Sequence, residues 1–201
     1  MISISIPTPL VRTGVAIQKL SLVNTYSEQI IYLSSAGIIK PNDIPIRFGI
    51  SLKYESVKVQ DYNDAQDVNR FDLDLGILID FTENIFFGYS SKNSLKPKFT
   101  LISEGDKLEH QQSFGICYNW KNSVNFLADY IWMEADSQWN FGSEIWFFDI
   151  FAARLGLFND ALTAGFGLRT NSWSIDSAIL AHEQLGSTYR ISLGFKFGGK
   201  K

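Results

Sequence analysis

Apolar and polar residues alternate one by one through most of this chain. The clearest run ends it: Tyr189, Ile191, Leu193, Phe195 and Phe197 fall on one face, and Arg190, Ser192, Gly194 and Lys196 on the other. Side chains of a strand alternate with period two, so the run predicts a β-ribbon with one apolar and one polar side. The pattern recurs upstream. Phe48, Ile50, Leu52 and Tyr54 oppose Gly49, Ser51, Lys53 and Glu55, and Phe71, Leu73 and Leu75 oppose Asp72, Asp74 and Gly76. Phe114 to Trp120, Val124 to Trp132, Phe141 to Phe147, Phe151 to Leu157, Leu162 to Leu168 and Trp173 to Ile179 repeat it. Each match alone is weak; the succession is the signal.

Turn formers fall between these segments: Asn122, Asp136 with Ser137, Asn159 with Asp160, Asn171, and Gly186. The short spacings in the second half predict antiparallel hairpins. Two longer polar stretches, Gln60 to Arg70 and Ser91 to Gln111, predict longer loops, and further strands are expected near Ile2–Ile6 and Lys98–Ile102. The segment Ile30 to Ile38 fits either strand or helix. No linker or low-complexity tract interrupts the chain, which reads as one domain over residues 1–201.

Alternation does not say which face is buried. A lipocalin or a sandwich turns its apolar row inward. Here the polar row is rich in glycine, serine and asparagine. Its charges change sign from strand to strand, through Glu144, Arg154, Arg169, Asp176, Arg190 and Lys196. Trp120, Trp132, Trp139, Trp173 and Tyr189 sit near strand ends, as amphipathic rings do at a membrane interface. Both features predict an all-β, antiparallel transmembrane β-barrel with its apolar row outside. A mean hydropathy of -0.02 fits alternation as well as it fits a water-soluble chain. There is no run of ~18 apolar residues for a spanning helix. A net charge of -3 and a pI near 5.4 argue against nucleic acid as a partner.

Candidate chemistry is sparse. Cys117 cannot form an internal disulfide, being the single cysteine, and His110 and His182 are too few and too separated to suggest a metal site. His182 precedes Glu183 and lies near Ser187, without a serine–histidine pairing on one strand face. Asp72 and Asp74 share a face; two such carboxylates could activate water, and the simpler reading is a solvated lining or a cation-attracting mouth. Neither an enzyme nor a cofactor is expected. Glu144, Arg154, Arg169, Asp176 and Arg190 are the candidate lumen-lining residues. They would line a path, hold a plug, or neutralise one another.

The stretch FGSEIWFFDIFAARLGLFND, then ALTAGFGLRTNSWSIDSAI, then HEQLGSTYRISLGFKF resembles the PorV/PorQ-type outer-membrane proteins, a branch of the FadL-like barrels. FGISLKYESVKV and FDLDLGILIDF resemble earlier strands of that family. The resemblance implies a barrel of the bacterial outer membrane that moves hydrophobic small molecules or serves a type IX secretion apparatus. Its partners would be the lipid bilayer, a hydrophobic ligand or other envelope proteins. The alternating segments count to roughly 12–14 strands; family members are longer, with a leader and further N-terminal strands, so the resemblance implies a barrel lacking N-terminal ones. No signal peptide is visible in MISISIPTPLVRTG. Gly198 to Lys201 follow the aromatic Phe197. The competing reading is a soluble β-barrel that binds a ligand in an apolar interior.

Overall fold

The computed structural model describes residues 1–7, 11–22, 26–59, 67–99, 106–182 and 186–197. Fifteen strands lie among them: β1 (Ile2–Pro7), β2 (Val11–Leu22), β3 (Tyr26–Ile39), β4 (Ile46–Val59), β5 (Val68–Asp80), β6 (Ile85–Lys92), β7 (Lys98–Phe99), β8 (Asp106–Lys107), β9 (Gln111–Trp120), β10 (Val124–Trp132), β11 (Ser137–Phe147), β12 (Phe151–Phe158), β13 (Ala161–Arg169), β14 (Trp173–His182) and β15 (Gly186–Phe195). Thirteen of them form one antiparallel sheet in chain order, and β7 and β8 pair separately. The ambiguous segment at Ile30–Ile38 lies inside β3. Parts of both long polar stretches (60–66 and 100–105), the end of the expected strand at Lys98–Ile102, the side chain of His182, Glu183 and residues 198–201 lie outside the described residues.

Several hairpin turns contain two successive residues with positive φ. Lys121 and Asn122 (52° and 58°), Phe148 and Asp149 (53° and 57°), and Asn159 and Asp160 (44° and 66°) are such pairs. Two left-handed residues in succession make the mirror-image turn whose twist matches that of the flanking strands. Asn and Asp tolerate that conformation through their short polar side chains; Phe148 has no such excuse and is 90% exposed.

Two compact units make up the chain. In the first (Met1–Asp80, Gly88–Phe114, Trp132–Asp136), Tyr32, Lys53 and Asp72 stand side by side across β3, β4 and β5, as do Ile30, Glu55 and Arg70. The alternate face carries Ile31, Tyr54 and Phe71. Burial follows the polar face. Asp72 is 1% exposed and its neighbour Phe71 is 60% exposed. Ala16, Ile30, Lys53, Glu55 and Val57 are buried on the same side as Asp72, while Val15, Ile17, Leu33, Phe48, Ile50, Leu52 and Ile77 are exposed on the other.

The second unit (Phe81–Phe87, Gly115–Ile131, Ser137–Lys201) repeats the arrangement. Glu144, Arg154, Gly165, Ala178 and Arg190 are register partners across β11 to β15, and so are Trp146, Ala152, Gly167, Asp176 and Ser192. Ala152 is buried, whereas Leu155, Leu162, Phe166, Tyr189 and Ile191 on the alternate face are exposed. Apolar residues in water normally go inward; both units place them outward.

The predicted closure into a cylinder is not made. No ladder joins β1 to β15 among the described residues, and residues 2–6 and 186–193 are exposed. In an antiparallel sheet of thirteen strands the first and last run the same way, so a ladder between them would be a parallel one.

Candidate functional site

Each unit carries an ion network on its polar face. In the first, Lys53 sits among three groups. Its Nζ lies 2.8 Å from Asp74 Oδ1 and 3.8 Å from Asp72 Oδ2, and donates to Asn93 Oδ1 at 2.6 Å. Asp72 Oδ1 accepts from the backbone N–H of Leu73 at 2.7 Å and of Leu95 at 3.1 Å. Among the described residues Asp72 Oδ2 is buried without a hydrogen-bond partner, and the Lys53 ammonium stands 3.8 Å from it. Asn93 ties the network to the connection between β6 and β9. Its N–H donates to Asp74 Oδ1 at 3.0 Å and its Nδ2 to the Glu109 carbonyl at 2.8 Å. The residue has φ 57°, which asparagine accepts more readily than most. One row along, Arg70 clasps Glu55 with Nε and Nη2 on the two carboxylate oxygens; both side chains are buried.

The same connection brings together a pair that spacing could not reveal. His110 Nε2 lies 2.8 Å from Ser91 Oγ across 19 residues. The hydroxyl is buried and also meets Ser94 Oγ at 2.8 Å, so it is engaged on two sides. A nucleophile needs an open approach as well as a base; this hydroxyl is packed.

In the second unit the predicted residues divide. Arg154 Nε donates to Glu144 Oε2 at 2.7 Å and Nη1 to Asp176 Oδ1 at 2.8 Å. The reach from β12 to β14 passes over β13, and glycine makes it possible. A Cβ on Gly167 would stand 3.0 Å from both guanidinium Nη atoms and 2.8 Å from Asp176 Oδ1. Glu144 Oε1 accepts from Trp146 Nε1 at 2.6 Å and from Asn125 Nδ2 at 3.0 Å, and Asn125 Oδ1 accepts from Asn119 Nδ2 at 2.7 Å. Arg169 joins through the ring of Trp146. Its guanidinium carbon is 3.7 Å from the ring centroid, and its Nε donates to the Asp149 carbonyl at 3.1 Å. Arg190 makes no ion pair among the described residues. It faces an open cavity of about 660 Å³ with Glu144, Arg154, Thr163 and Thr188.

Among the described residues no group of three or more His, Cys, Asp or Glu could hold a metal ion. The sequence singled out the second network and offered Asp72 and Asp74 as a carboxylate pair whose simpler reading was a solvated lining or a cation-attracting mouth. Lys53 as their counter-ion could have been found, because Lys53 falls in the polar row of its own strand. Asn93 could not, since only the path of a long connection brings it there. The chain matches no protein-family model and no curated protein sequence.

Proposed function

We propose that this chain is a non-enzymatic outer-membrane β-barrel protein of PorV/FadL-like type, whose polar face lines a lumen and whose apolar face meets lipid. One observation carries the reading. Phe71, Leu155, Phe166, Tyr189, Ile191 and other large apolar side chains are exposed on one face, while buried positions gather on the polar face. In water a continuous apolar surface of this kind would drive aggregation; in a bilayer it is the favourable arrangement. The ion networks suit a lumen, because charges that pair across strands neutralise one another away from bulk water. The longest connections, after β4 and after β6, leave the same edge of the first unit's strands, and a barrel has its long loops at one rim. The proposal includes closure of this sheet into a cylinder in the bilayer.

Within this reading the lumen serves hydrophobic small-molecule transport or a type IX secretion-type envelope apparatus. The test is heat-modifiability. The chain is expressed behind a signal peptide, extracted from outer membranes in mild detergent, and run boiled and unboiled on a denaturing gel. A band that shifts on boiling is expected, since a closed hydrogen-bonded cylinder resists the gel detergent. Recovery in the soluble fraction without a shift would overturn the proposal in favour of a soluble ligand-binding β-protein.

A further inference from the structure

We infer that the start of the β6–β9 connection, Asn93 to Leu95, is a plug latched onto the polar face by Asp72, Asp74 and Lys53, and that releasing it widens the path along that face. The widening rests on the lumen reading above; the latch stands on the contacts alone. Four of them hold three residues. Asp74 takes the N–H of Asn93, Asp72 takes the N–H of Leu95, Lys53 donates to the Asn93 side chain, and the Ser94 N–H donates to the Leu73 carbonyl at 3.0 Å. The far limb is tied to the near one through Asn93 to Glu109 and Ser91 to His110.

A surface loop would leave Asp72 and Lys53 in water. Here both are buried on a face whose counterparts in the second unit stay part-exposed. Carboxylate-to-amide bonds are among the stronger hydrogen bonds, and their burial strengthens them. The device is also releasable. Every latch bond runs from a strand side chain or carbonyl to a short connecting segment, so the segment can detach while the ladders of β4 and β5 stay whole. Lys96, next along, is held by Glu134 at the exposed end. Occupants of the path compete with the latch by offering Lys53 another acceptor or Asp72 and Asp74 another donor.

Asn93→Gly tests this with little risk to folding. Glycine keeps the positive φ and removes both side-chain bonds. Lys53→Met is the stronger variant. The first reading is hydrogen exchange of the backbone amides at positions 93 to 95 in detergent-solubilised protein, compared with amides of β4 and β5. Release predicts exchange about tenfold or more faster in the segment of both variants, with the strands of Asn93→Gly unchanged. Equal segment exchange in wild type and both variants would overturn the latch. The second reading is single-channel conductance in planar bilayers, where both variants should conduct several-fold more than wild type. Faster segment exchange with unchanged conductance would overturn the plug and leave a tethered loop. Failure of all three proteins to insert would overturn the lumen reading, and the gating with it, while the exchange contrast still decides the latch.

Discussion

Lys53 and Arg154 hold equivalent places in their units. Each is a cation on a polar strand face, set between two carboxylates: Asp72 and Asp74 for one, Glu144 and Asp176 for the other. They differ in what lies above them. A connecting segment covers Lys53, whereas Arg154 borders an open cavity. The same charge pattern therefore serves as a buried clasp in one unit and as a solvated lining in the other. Cover decides the energetics. A buried charge that loses its partner is left uncompensated, while a part-exposed one turns to water.

The largest expected effect breaks this contrast directly. Lys53→Ala strands two carboxylates and should cost about 3–5 kcal/mol, against about 1 kcal/mol for Arg154→Ala, whose neighbours remain hydrated. Denaturant titrations of both variants in the same detergent measure the difference, and equal losses would remove the distinction between the networks. Next comes the opposite face. Leu155→Arg, in mid-strand and 63% exposed, should cost about 2–4 kcal/mol in a bilayer, and a protein whose apolar face met water would lose almost nothing. Gly167→Ala sharpens the account of Arg154. The added methyl crowds the guanidinium and Asp176 Oδ1 and should cost about 1–3 kcal/mol by overpacking, and the double variant with Arg154→Ala should lose less than the two single losses summed. Asp176→Asn is the smallest, below ~1 kcal/mol, because this carboxylate is the most exposed member of its network.

Much of the strand pattern was legible because alternation is local. From Phe48 to Tyr54, and again from Phe141 to Phe195, each face assignment follows from the residue before it. The Glu144–Arg154 pairing was within reach too, since the three-residue turn between Phe147 and Phe151 fixes which residues oppose. β2 and β3 were harder to read because small and polar residues such as Ser34, Ser35 and Gly37 break the apolar row. The Lys53 cluster depends on where a long connection travels, and the Ser91–His110 contact depends on the same path. Loop paths are set by tertiary contacts that no period records. Closure was expected from the alternation, yet no period records which edges pair, and β6 passes unnoticed in the pattern.

The central claim is that the apolar face meets lipid and the polar face does not. Two tryptophans in the second unit sit on opposite sides. Trp139 is exposed on the apolar face against Tyr130 and Phe141, and Trp146 lies on the polar face under Arg169. Fluorescence of variants that keep only one of them, reconstituted in vesicles of brominated phospholipid, reads the difference. The account predicts strong quenching of Trp139 and little of Trp146. Quenching of neither, or of Trp146 above Trp139, would contradict it.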